Sequence, residues 1–481
     1  MTAIHPLDII VTGAGLTGLS AALLLARDGH RVTVLERDPS LPPSTSEQAW
    51  EQWDRPGVNQ FRQPHLMLPR WRQEIERELP ELLNELAAAG VERINMLHLR
   101  QKSVTEGWQP GDERFDTIGA RRPVLEAALG RLALREPGVT IRRGVKVLGL
   151  LTDPADVVVP HVRGVETSTG DLTADLVVDA AGRRTPLPAW VRDLGGPAPA
   201  ESREPCGFVY YSRHFRSSDG RMPTSPGSVL SHHPSWSVLT LPCDHGTYCV
   251  VLVTAATDTH LRSLRDPRAW SAAASISPAA GLWVTHGIPI TDVMPIAGLE
   301  DISRSYLRDG APVVTGLVAL GDAAAATNPS LGRGATIGLL HACALRDTLA
   351  QTSRDPWEQV EMFGAATARE VTPWVDASIW FDRHRLGEIE ADIAGVPYVT
   401  DDQAWAMSTM LMAGAGDDPI LGRASSTLAG LLAAPPQVFS DPEVQRRLAA
   451  YRGAPRYASD GPTRGDLLTA VRESGASLVA S

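Results

Sequence analysis

The sequence predicts an α/β fold in three parts: a doubly wound domain on a parallel sheet, a mostly antiparallel β-sheet layer, and a helical C-terminal region. Three observations carry this expectation. The first 36 residues alternate strand, glycine turn, helix and strand. Between about 205 and 295 short β-rich runs are broken by Pro, Gly and Asp, and from about 355 onward the pattern is helical. At 481 residues the chain is also too long for one hydrophobic core.

Leu7–Val11 is apolar and β-branched, as a buried parallel strand should be. After the turn Gly13-Ala14-Gly15, residues Leu16, Leu19, Ala22, Leu23 and Ala26 recur at helical spacing, and Gly29 follows as a stop. Arg31–Glu36 reads as the second strand. Residues 38–70 look irregular. A helical stretch over 71–90 contains Pro80, so it is kinked or divided. A helix over 123–134 leads into strands at 139–141 and 145–151, and Leu176–Ala180 is another buried strand. Phe208–Tyr211, Trp236–Leu241 and Tyr248–Val253 form the second layer. Val313–Gly321 returns to the parallel-strand pattern and precedes a helix marked by Ile337, Leu340, Ala344, Leu345 and Leu349. The boundaries expected are 1–185 for the first part of the doubly wound domain, with a helical insertion near 70–100, then 186–300, 301–350 and 351–481 for the β-rich layer, the domain's last part and the helical region.

A net charge of −11 argues against nucleic acid or an anionic membrane as the main partner. Cys206, Cys243, Cys249 and Cys343 form no C-x-x-C pair and no zinc spacing, so four reduced thiols in a cytoplasmic protein are expected. No basic segment precedes the first apolar run, and no stretch approaches the ~18 apolar residues of a transmembrane segment. There is no P-loop, H-E-x-x-H helix or nucleophile elbow.

The chemistry concentrates in three distant stretches. Gly13-Ala14-Gly15-Leu16-Thr17-Gly18 sits between strand and helix, where a dinucleotide fingerprint belongs. The first glycine permits the turn, the second lets a pyrophosphate approach the backbone, and the third lets helix and strand pack. The helix start offers free N–H groups to phosphate. Glu36, followed by Arg37, lies 18 residues after Gly18, near the ~20 expected of an acid bonding ribose. The second stretch, Gly119–Leu125, sets Arg121 and Arg122 before Pro123 at a helix start; cations are unfavourable there unless an anion arrives. In the third, Gly321–Thr336, Asp322 ends a strand and can accept from sugar hydroxyls, while Gly332 and Gly334 allow backbone to approach a flat ring.

These residues resemble the FAD-dependent monooxygenases related to aromatic hydroxylases, including their flavin epoxidase and halogenase relatives. The family's G-D-A-A-H-x-x-x-P-x-x-G-x-G element is matched by Gly321, Asp322, Pro329, Gly332 and Gly334, with Ala325 replacing the histidine. Its R-x-x-L element maps to Arg122 and Leu125, and its Asp-Gly element in part to Asp175–Thr185, with Ala181 where the acid usually stands. The resemblance implies a Rossmann-like FAD-binding domain and an antiparallel substrate domain. Adenosine would lie by Glu36 and Val147, and the flavin by Pro329, Gly332, Arg333, Gly334, Ala335 and Thr336. Arg62 and Gln63, with His65, would approach the flavin or ribityl chain. Tyr211, Arg213 and His232 are the candidate substrate residues, among several Tyr and His of the β layer for which ordinary packing is the default.

The implied reaction is reduction of FAD by NAD(P)H or a partner flavin reductase, O₂ addition to give a flavin hydroperoxide, then hydroxylation or epoxidation of a small, largely apolar substrate, as in secondary metabolism. No catalytic side chain is singled out, because the cofactor carries the chemistry. No second fingerprint for NADPH is present. Three alternatives stand beside this. A halogenase needs a lysine beside a tunnel from the flavin, and the G-W-x-W-x-I-P element is absent. A flavin reductase or dehydrogenase would turn over without O₂. A non-catalytic flavin-binding protein would show no turnover.

Overall fold

The computed structural model describes residues 6–100, 102–153, 159–224, 228–457 and 461–476. Strand β1 (Asp8–Thr12), helix α1 (Leu16–Arg27) and strand β2 (Arg31–Glu36) form the expected opening unit. α1 is buried along almost its whole length, which its largely apolar sequence requires. The stretch over 71–90 is two helices, α2 (Pro69–Glu78) and α3 (Pro80–Ala88). Between them Leu79 leaves helical geometry (φ −138°, ψ 54°), because the ring of Pro80 disfavours the α conformation in the residue before it. Strand β3 (Asp116–Arg121) runs directly into helix α4 (Arg122–Arg135), and β4 (Val139–Arg143) follows. Next in the main sheet is β5 (Leu176–Asp179).

The β-rich layer contains β6 (Phe208–Ser217), β7 (Leu230–His233), β8 (Trp236–Pro242), β9 (Thr247–Ala255) and β10 (Gly287–Pro289). They form an antiparallel sheet in the order β7-β8-β9-β6-β10. Helices Pro267–Ile276 and Pro278–His286 cover one face, where Trp236, Trp270, Trp283, Phe215 and Tyr248 are buried. The chain then returns to the first sheet through β11 (Leu317–Ala319). That strand is shorter than the apolar run 313–321 that announced it. The finished parallel sheet has the order β11-β5-β1-β2-β4.

Helix α5 (Gly334–Gln351) packs against α1, so the glycine turn and the 321–336 stretch meet at one end of the sheet. Further on, α6 (Thr372–Ala394), α7 (Gln403–Gly414), α8 (Pro419–Ala429) and α9 (Pro435–Phe439) build the helical region. All four cysteines are free and buried. No helix among the described residues is long and apolar enough to cross a membrane.

Candidate active site

A cavity of about 770 Å³ opens where the parallel sheet, the antiparallel sheet and the helical region meet. Its volume falls within the ~300–1,000 Å³ usual for ligand sites. Gly15, Leu16, Thr17, Gln63, Arg122, Asp322, Pro329, Gly332, Arg333, Gly334 and Ala335 all line it, so the three stretches converge on one space.

At the first stretch each glycine is required for a different reason. Gly13 has φ +98°, and a Cβ there would lie 2.7 Å from the Ala180 carbonyl oxygen. A Cβ at Gly18 would lie 2.0 Å from the Gly13 carbonyl oxygen, closer than any side chain permits. At Gly15 a Cβ would meet nothing within 4 Å, and this residue begins α1 without a side-chain cap. The helix start therefore faces open space with its N–H groups uncapped, as an arriving pyrophosphate needs. Arg183 also lines the cavity, with a buried guanidinium nitrogen that has no partner among the described residues. These features fit FAD.

Glu36 and Arg122 are bound into a buried ionic cluster whose centre is Arg55. The Arg55 guanidinium bonds Glu36 and Glu126 and donates to the Ala14 carbonyl at 3.0 Å. Glu36 also accepts from the backbone N–H of Ala14 and of Asp38, each at 2.9 Å. Arg122 donates to Glu126 at 2.7 Å and contacts His65 Nε2 at 3.1 Å. Burial, reinforced by Arg122, pushes the His65 imidazole down to about 3, so it stays neutral and accepts from Arg122. Arg55 and Glu126 were not legible in the sequence: Arg55 lies in the 38–70 segment, expected to be irregular but holding the short helix Ser46–Glu51 and the strand Pro64–Leu66, although Glu126 stands four residues after Arg122, a spacing that pairs charges on a helix.

The 321–336 stretch is clamped from behind. Arg333 donates to the Trp374 carbonyl at 3.2 Å and to Ser378 Oγ at 2.9 Å, and burial pushes its guanidinium down to about 10. Asn328 donates to Asp382 at 2.8 Å and accepts from the Tyr210 hydroxyl, which is 2.6 Å from Ser330 Oγ. Burial, with Asp301 nearby, holds the Asp382 carboxyl well above its ordinary range. Asp322 lies 3.7 Å from Arg183. Asp179 bonds the hydroxyls of Thr12 and Thr185, which fixes the strand ends under the glycine turn.

Other expected site residues fall elsewhere. The Arg62 guanidinium turns from the cavity to the Trp50 and Trp53 carbonyls, because its loop folds back on itself. Exposed Arg37 lies against Gly57. Thr336 is fully buried. Val147, half-buried, is paired with Thr167 in a small separate sheet, although Val145 does bond the Glu36 carbonyl at 3.0 Å. On β6 the two-residue alternation decides the substrate candidates. Tyr210 and Ser212 face the cavity, whereas Tyr211 packs among the covering helices and Arg213 bonds the Thr291 carbonyl and Ser271. His232 does line the cavity, bonded to Ser237 at 2.9 Å. Burial and neighbouring arginines keep its imidazole well below its ordinary pKa, hence neutral.

Known proteins resemble this chain in sequence and in fold. The model of the FAD dependent oxidoreductase family matches residues 8–133. Protein Rv3254 of Mycobacterium tuberculosis is 30% identical over 391 residues, spanning 76% of this chain and 77% of the relative. Among solved structures, PqsL, a probable FAD-dependent monooxygenase from Pseudomonas aeruginosa, superposes with TM-score 0.59 at 18% identity, over 81% of this chain and 99% of that one. The flavin-dependent brominase Bmp2 superposes with TM-score 0.53 at 14% identity, over 98% of this chain and 100% of that one. At such identities the two structures share the fold alone. Family match, fingerprint and the mycobacterial relative together place this chain among the FAD-dependent oxidoreductases.

Proposed function

We propose that the chain is an FAD-dependent monooxygenase that hydroxylates or epoxidises a small, largely apolar organic molecule in the cytoplasm, as a step of secondary metabolism. The observation that carries this reading is the continuity of one cavity from the cofactor cradle to a wall of Leu230, Leu239, Leu241, Val251 and Ile296 on the antiparallel sheet. FAD, when bound, supplies the redox chemistry: it takes electrons from a donor and activates O₂ for transfer of one oxygen atom.

The protein's part is to bind, orient and exclude water. In this reading the N–H groups of α1 and Arg122 hold the pyrophosphate, Glu36 and Asp322 accept from ribose and ribityl hydroxyls, and the Gly332–Ala335 backbone backs the ring. The apolar sheet keeps water from the reacting carbon. Burial keeps His65 and His232 neutral, so neither adds a positive charge to the cavity wall. Halogenation is disfavoured. The chain contains only Lys102 and Lys146, and both are exposed and away from the cavity. Electrons come from NAD(P)H docking transiently or from a separate flavin reductase.

Mixing FAD-loaded protein with NADPH in a stopped-flow spectrometer tests the donor: bleaching without a partner identifies direct reduction. Oxygen uptake and a mass gain of one oxygen in the product test the reaction. Substrate reduction without O₂ consumption would replace monooxygenation by a reductase or dehydrogenase reading.

A further inference from the structure

The charged groups of the cavity are confined to one part of its wall. Arg122, Arg183, Asp322 and Arg333 belong to the cofactor cradle, and exposed Asp376 sits on the first turns of α6. The wall contributed by α7, α8 and α9 is different. Met407, Leu411, Met412, Leu428, Pro436 and Phe439 face the cavity there, with Ser408 and Ser425 as the only hydroxyls. None of the residues these helices turn inward is ionisable.

The region is not short of charges; they point elsewhere and are paired. Arg423 of α8 bonds Asp112 at 2.7 Å. Asp418 caps α8 through the Ile420 and Leu421 N–H groups and lies 3.1 Å from Arg447. Asp402 caps α7 and accepts from Trp380. A charged or strongly polar ligand group under these helices would lose its hydration without compensation. The two methionines add flexible, polarisable surface that adapts to an apolar guest.

Resting on the monooxygenase reading above, we infer that α7–α9 form the distal limb of the substrate site. That limb accepts the uncharged, hydrocarbon end of a substrate whose reacting end lies at the flavin. The substrate class is therefore neutral and larger than a single ring, and any polar function sits at the reacting end.

Isothermal titration calorimetry of the FAD-loaded full chain tests this with 4-n-alkylphenols from methyl to octyl and their ω-carboxylated counterparts. Affinity should rise about fourfold per methylene, the gain for burying one CH₂. A terminal carboxylate should abolish that gain. Met412→Trp and Leu428→Trp, two independent fillings of the limb, should weaken octylphenol binding about tenfold or more and leave methylphenol unchanged. Affinity independent of chain length, equal binding of the carboxylates, or octylphenol binding unaffected in both folded variants would overturn the inference. The outcome is separable from the reaction: length-dependent binding without oxygenated product sinks the monooxygenase reading alone, and oxygenation of a ligand charged at its distal end sinks the distal limb alone.

Discussion

Replacing Arg55 with methionine tests whether the buried cluster beside the glycine turn is held together by one cation. Arg55 has 4% of its side chain exposed, Glu126 none and Glu36 7%. Removing one partner from a buried pair typically costs about 3–5 kcal/mol, because a charge is left buried and uncompensated. Here Glu126 retains Arg122 at 2.7 Å, and Glu36 retains the Ala14 and Asp38 N–H groups. The loss should therefore sit near the lower end, about 3 kcal/mol at pH 7. The pH dependence has a definite sign. Burial alone would raise the Glu126 carboxyl, but Arg122 and Arg55 outweigh it and hold it below its ordinary value of 4.5. A carboxyl depressed in the folded state stabilises above its unfolded pKa, and that contribution disappears as pH falls through the folded one. The wild type thus has more to lose on acidification than Arg55→Met, and the gap between them should narrow below about pH 4.5. Urea unfolding of the FAD-free proteins, followed by tryptophan fluorescence at pH 7 and pH 4, measures both quantities. The double variant Arg55→Met/Glu126→Gln should recover part of the loss at pH 7. A deficit under about 1 kcal/mol at pH 7, or one unchanged at pH 4, would refute the claim that Arg55 neutralises these carboxylates.

Two further outcomes follow from positions fixed by geometry. Gly18→Ala should purify colourless or nearly so, since its methyl would collide with the Gly13 carbonyl; the ratio of flavin to protein absorbance reads this directly. His65 is pushed down to about 3, and His214, His233 and His341 to about 4, in each case chiefly by burial. Histidines held neutral in the folded state are protonated first in the unfolded one, so folding stability should fall steadily from about pH 6.5 toward pH 4. A urea midpoint unchanged between pH 7 and pH 5 would contradict this.

What the sequence disclosed and what it hid divide along contact range. Gly13, Gly15 and Gly18 announce themselves because their constraint is local: turn, phosphate approach and helix packing fall within six residues. The parallel strands are legible because buried strands are continuously apolar, and α2 and α3 because Pro80 stands between them. Arg55 is not, since its partners lie 19 and 71 residues away and its own segment has no period. Tyr211 and Arg213 misled for a narrower reason. A strand sends alternate side chains to opposite faces, but which parity of β6 faces the cavity depends on the helices Pro267–Ile276 and Pro278–His286, whose packing no local pattern encodes. The inward side of α7 was equally hidden, because apolar residues surround that helix without a clear stripe.

Helix α6 ties these separately encoded parts together. On one side Asn328 bonds its Asp382, and Arg333 bonds the Trp374 carbonyl and Ser378. On another, Arg385 donates to the His233 and Trp236 carbonyls at 2.9 and 2.7 Å, and Asp392 accepts from the Ser235 N–H at 2.7 Å. Toward α7, Trp380 donates to Asp402 at 2.8 Å. The flavin-side loop, the edge of the substrate sheet and the distal cap are thus each bonded to one rigid element, and the loop is bonded to Tyr210 of the sheet besides. A ligand that displaces the cap transmits strain to the Pro329–Gly332 loop through α6, since a close-packed helix moves as a unit. The flavin absorption band should then respond to occupation of the distal limb even by a ligand too short to touch the ring, and Arg333→Met, which leaves only the Asn328–Asp382 tie, should weaken that response.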